Sequence, residues 1–84
     1  MRTGVQFTAT MAPNATVKWY SANWPVAWHV VWYLMPTTPR PGAPELEWDV
    51  AVERADAGHV TYWITVVNKT AIPVAFEGRY AVLN

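Results

Sequence analysis

Eighty-four residues bound this chain to one domain, and a domain so short buries only about 60% of its unfolded surface, so little stability is spare. There is no cysteine, and the two histidines, His29 and His59, lie far apart in sequence; neither a disulfide nor a zinc staple is in evidence. Six basic side chains balance six acidic ones, which removes the electrostatic attraction that nucleic acid or an anionic membrane would require.

Alternation with a period of two, seven prolines and many β-branched or aromatic residues predict strands throughout, and no segment sustains the apolar spacing of a capped helix. Val5, Phe7, Ala9 and Met11 alternate with polar neighbours as one strand with a single buried face, ended by Pro13-Asn14. Residues 16–20 form a second short strand with Val17 and Trp19 on one side, and residues 21–25 read as a connection that carries Trp24 in a loop. The third strand, residues 27–35, sets Trp28, Val30, Trp32 and Leu34 on one face against Ala27, His29, Val31, Tyr33 and Met35 on the other, and both faces are largely apolar.

Four prolines and a glycine make residues 36–44 a stiff connection with few backbone donors. Residues 45–54 alternate most cleanly, with Leu46, Trp48, Val50 and Val52 inward and Glu45, Glu47, Asp49 and Glu53 outward. Ala55-Asp56-Ala57-Gly58 reads as a hairpin loop leading into residues 60–68, where Val60, Tyr62, Ile64 and Val66 alternate with Thr61, Trp63, Thr65 and Val67. A turn from Asn68 to Pro73 precedes the last strand, residues 74–83, with Val74, Phe76, Tyr80 and Val82 on one face and a bulge expected at Gly78.

Six short strands divided by turns predict an all-β domain over residues 1–84, a small antiparallel six-stranded β-sandwich or partly open barrel, in which the last two strands pair as a hairpin. The stretch Val60-Thr61-Tyr62-Trp63-Ile64-Thr65-Val66-Val67-Asn68 followed by Pro73-Val74-Ala75-Phe76 resembles the end of bacterial immunoglobulin-like or fibronectin-like β-sandwich domains. It covers about a quarter of the chain, implies the fold class, and carries no site.

Catalytic chemistry has little material to work with. Ser21 is the sole serine and has no nucleophile-elbow context, so the expectation is a protein that is not an enzyme. Glu45, Glu47 and Asp49 share a strand face, but side chains projecting in parallel diverge, whereas calcium needs oxygens converging on a point; a solvated face is the plainer reading, and no metal or cofactor is expected. His29 reads as an interface residue and His59 as a turn residue. Two Pro-x-x-Pro stretches within residues 36–44 read as connection, and the tripeptides Asn14-Ala15-Thr16 and Asn68-Lys69-Thr70 as turns rather than glycosylation sites. No apolar run is long enough to span a bilayer, and Met1-Arg2-Thr3-Gly4 does not open a secretory signal, so the expectation is a soluble protein, cytoplasmic by default.

What remains is an aromatic surplus. With Phe7, Trp19, Trp28, Trp32, Trp48, Tyr62, Phe76 and Tyr80 in the core, Tyr20, Trp24, Tyr33 and Trp63 have no inward place. Exposed aromatic surface commonly marks interaction sites. The expectation is therefore a binding module that assembles into a homo-oligomer through Val31, Tyr33, Met35, Val67 and Leu83. Trp24 and Trp63 would stack on a ligand whose polar edge meets Glu47, Asp49 or Arg79, an arrangement suited to carbohydrate. The alternative is a purely structural subunit whose spare aromatics are all consumed by subunit contacts.

Overall fold

The computed structural model describes residues 1–84 and is all-β. Six strands follow one another: β1 (Arg2–Met11), β2 (Thr16–Pro25), β3 (Val30–Pro36), β4 (Leu46–Arg54), β5 (His59–Asn68) and β6 (Val74–Val82). They form two antiparallel three-stranded sheets, ordered β1-β6-β3 and β2-β5-β4, stacked as a small β-sandwich.

Each sheet presents one apolar face because alternate side chains point to opposite sides. Val60, Tyr62, Ile64 and Val66 of β5 line the inner face of one sheet; Val74, Phe76 and Val82 of β6 and Trp32 and Leu34 of β3 line that of the other, and all are buried. The central strands β5 and β6 supply seven of the twelve residues in this core. Burial ranks follow position: a central strand is flanked on both sides, an edge strand on one.

The expected hairpin between the last two strands does not form. β5 pairs with β2 and β4, and β6 with β1 and β3, so residues 69–73 cross from sheet to sheet; the hairpin in this half joins β4 to β5 through residues 55–58. The crossover sets the apolar rows of β5 and β6 face to face, where each covers the other, rather than edge to edge, where both would stay wet.

Asn68 holds the crossover. It is almost fully buried; its Nδ2 donates to the carbonyls of Met11, Ala12 and Ile72 at 3.3, 3.1 and 2.8 Å, and its Oδ1 accepts from the Thr70 amide and hydroxyl at 2.9 and 2.8 Å. One amide thus satisfies buried backbone from two connections that would otherwise be left without partners. Asn14 takes a positive φ of 57° in the turn between β1 and β2, which fits the reading of Asn14-Ala15-Thr16 as a turn.

Two bulges shift faces away from a simple alternation. In β1 the register slips between Val5 and Phe7, so Phe7, Ala9 and Met11 face the core while Val5 turns outward beside Arg79. The irregularity lies on β1 opposite Gly78, and not in β6 at Gly78 as the sequence suggests. A Cβ on Gly78 would stand 2.3 Å from the Phe7 ring, and one on Gly4 would stand 2.7 Å from the Tyr80 hydroxyl. Each glycine gives its space to an aromatic ring from the neighbouring strand.

In β2 the register slips between Ser21 and Trp24, with Asn23 at a positive φ of 66°. The strand therefore continues to Pro25, past the expected loop, and the extra residues rotate Trp24 into the core. Trp24 is 8% exposed, and its indole Nε1 donates to Ser21 Oγ at 2.8 Å. The rings of Trp28, Trp32, Tyr62 and Tyr80 surround it edge-on, with centroids 5.2 to 6.2 Å away. A second inner cluster joins Phe7, Trp19 and Phe76 at 5.6 to 5.9 Å.

β4 breaks the expectation in the opposite direction. Its row points to the core side, opposite Val66, Ile64 and Tyr62, yet only Leu46 is covered; Trp48, Val50 and Val52 are 37%, 38% and 65% exposed. Trp24 and Trp48 have in effect exchanged the places the alternation assigns them. The third strand also starts later than expected, at Val30, because residues 26–28 turn, with the Trp28 amide donating to the Pro25 carbonyl at 3.2 Å.

Candidate functional site

The outer face of the β2-β5-β4 sheet carries the exposed aromatic pair of the molecule. Tyr20 and Trp63 are directly opposite one another across β2 and β5, and their ring centroids lie 5.3 Å apart at an interplanar tilt of 38°. They are 67% and 36% exposed. On the other side of Trp63, the indole Nε1 donates to Glu53 Oε1 at 2.8 Å. This anchors the ring on its own sheet, so a ligand stacking on it would freeze little side-chain motion.

The polar frame comes from β4 and β2. Ala51 is the β4 partner of Trp63, Asp49 that of Thr65 and Glu47 that of Val67; all share this outer face. Lys18 stands opposite Thr65 on the other flank. Glu47 Oε2 lies 3.5 Å from Lys69 Nζ. Of the residues the sequence marks for ligand contact, Trp63, Glu47 and Asp49 therefore share one surface. Trp24 does not join them, being enclosed in the aromatic cluster between the sheets, and Arg79 belongs to the outer face of the opposite sheet. Tyr20 and Glu53 complete the surface; both are legible as members of its outward rows, one beside Trp19 and one two residues beyond Ala51.

The residues expected at a subunit interface are likewise divided. Val31, Tyr33 and Met35 lie on the outer face of β3, opposite Ala81, Arg79 and Glu77, and Leu83 follows β6 with its amide donating to the His29 carbonyl. Val67 is on the outer face of the other sheet, so these five do not make one patch. The apolar row of β4, Trp48, Val50 and Val52, is also without cover.

The Glu47 and Asp49 carboxylates meet neither Arg79 nor His29. Glu47 and Asp49 lie on one outer face and Arg79 on the other, while His29 sits in the β2–β3 connection, where its amide donates to Asn84 Oδ1 at 2.9 Å. His59 Nδ1 lies 3.0 Å from Asp56 Oδ1 in the β4–β5 loop. The Gly58 amide, donating to the same oxygen at 2.8 Å, and then His59 hold the Asp56 carboxyl below its ordinary value. Burial raises the Tyr62 hydroxyl above its ordinary value, keeping it neutral in the core. No group of three His, Asp or Glu side chains converges as metal ligands would.

No family model matches the chain, and comparison with curated proteins and with solved structures gives no significant match. No helix is long and apolar enough to cross a membrane.

Proposed function

We propose that this chain is a non-enzymatic binding module whose outer β2-β5-β4 face stacks on carbohydrate, and that it self-assembles through the open side of β4. One observation carries the reading: the exposed Tyr20–Trp63 pair, oriented by Glu53 and bordered by Asp49, Lys18 and Glu47. The apolar face of a sugar ring matches an aromatic surface, and its hydroxyls match charged groups along the edge. A platform on two paired strands is also stiffer than one on loops.

A glycan array probed with the labelled protein tests this. The wild-type chain should bind a defined subset of glycans, and Trp63→Ala should weaken that binding on the order of fivefold, since an aromatic stacking contact contributes about 1 kcal/mol. An array with no binding, or a variant that binds as tightly as the wild type, would remove the carbohydrate reading.

The second reading is an assembly subunit without a small-molecule ligand, and the uncovered row Trp48, Val50 and Val52 favours it. A second copy laid against β4 would remove that row from water. Light scattering across a dilution series separates the possibilities. A stable multiple of 9.5 kDa with no glycan bound supports the subunit; a 9.5 kDa monomer at all concentrations ends the assembly proposal.

A further inference from the structure

The outer face of the β1-β6-β3 sheet holds a different kind of feature, an open depression of about 290 Å³ lined by Thr3, Gly4, Val5, Tyr33, Glu77 and Arg79. The strand register builds it. Arg79 of the central strand has Val5 on one side and Tyr33 on the other, and the next row toward the chain end is Thr3, Ala81 and Val31. The bulge between Val5 and Phe7 is what puts Val5 on this outer face at all. Small-molecule pockets begin at roughly 300 Å³, so the depression suits a single ring rather than an extended chain.

Its polar groups are already arranged. Arg79 Nη2 and Nε both reach Glu77 Oε1, at 2.8 and 2.9 Å, and the two side chains are about one-third exposed, 34% and 32%. Both contacts fall on one carboxylate oxygen, so Glu77 Oε2 remains an acceptor and Arg79 Nη1, on the far side of the guanidinium, a donor, the two held apart by the fixed pair. The pair is neutral as a unit, which discourages an anion: a carboxylate or phosphate would gain Arg79 only against the repulsion of Glu77. A hydroxyl gives and accepts at once, and the several hydroxyls around a sugar ring match a donor and an acceptor set apart. Tyr33 adds an aromatic wall and Thr3 a further hydroxyl group.

We infer that this depression is a second, separate carbohydrate subsite, taking the hydroxyls of one uncharged pyranose ring against Arg79 and Glu77 beside Tyr33. It shares a ligand class with the Tyr20–Trp63 platform but none of its residues. A single copy then has two sites on opposite outer faces and can bridge two sugars without assembling.

The test is an amide NMR titration of the full chain with methyl glucopyranoside, methyl mannopyranoside and methyl galactopyranoside, each up to about 100 mM so that millimolar binding is reached. The expected result is saturable shifts at Thr3, Val5, Tyr33, Glu77 and Arg79 with at least one glycoside. Trp63→Ala should leave them unchanged, and Glu77→Gln should weaken them on the order of fivefold, with the dispersed spectrum of each variant reporting that it is folded. Shifts confined to the surroundings of Tyr20 and Trp63 would overturn this inference and leave the platform standing. Shifts confined to the depression would uphold it and count against the platform. No shifts on either face would overturn both, and a response to sodium acetate in place of the glycosides would overturn the choice of a neutral ligand.

Discussion

β4 and β6 are both nine-residue strands with an apolar residue at nearly every second position, and they end in opposite circumstances. β6 lies between β1 and β3, and Val74, Phe76 and Val82 are all but sealed. β4 has one neighbour, and cover lapses along it from Leu46 to Val52. An apolar row is thus a demand for cover, which sheet order meets in one strand and leaves open in the other. Buried apolar surface concentrates in the first, and uncovered apolar surface in the second.

The sharpest way to break this contrast is Phe76→Ala. Phe76 packs against both Phe7 and Trp19 with almost no exposure, so its loss should cost about 3–5 kcal/mol in urea unfolding, enough to approach complete unfolding of so small a domain. Next comes Gly78→Ala on the same strand. The new methyl must displace the Phe7 ring, at a cost of about 1–3 kcal/mol, and Phe7→Leu in the same chain should return part of it in a double-mutant cycle.

On β4, Val52→Thr should change monomer stability by no more than about 0.5 kcal/mol, because that side chain is mostly in water already. A larger loss that grows with protein concentration would reveal a self-associated β4.

The smallest effect is in the β4–β5 loop. Because the Asp56 carboxyl is held below its ordinary value of 3.8 in the folded chain, its contribution is in place above that pH and is lost as pH falls below it through the folded-state value. The Gly58 amide proton should report this as a shift in NMR during acid titration, and Asp56→Asn should remove the titration.

The all-β class, the six strands and the inward rows of β3, β5 and β6 are legible in the sequence because period-two alternation is a local property. Three things are not. Alternation cannot say whether a strand is central or at an edge, and so Trp48 and Val52 read as core. It cannot survive a bulge, and so Trp24, delivered inward by Asn23, reads as a loop residue, and Val5 as a core residue. It also cannot distinguish a hairpin from a crossover, and the short turn after Asn68 fits both. Of the candidate sites, the outward rows bring Trp63, Glu47 and Asp49 to one surface as the pattern implies; the place of Arg79 follows only from which strands pair.

Asn68 bears on the order in which the molecule comes together. The β4–β5 hairpin closes over a few residues and can form from local chain alone. The Asn68 amide instead joins carbonyls at Met11 and Ala12, 57 and 56 residues away, to one at Ile72, so it cannot bind its full set until nearly the whole chain is in place. That end of the sandwich is therefore expected to close last, as a latch set on strands already paired, an order that pulsed amide exchange during refolding would register as late protection of Thr70 relative to Ile64.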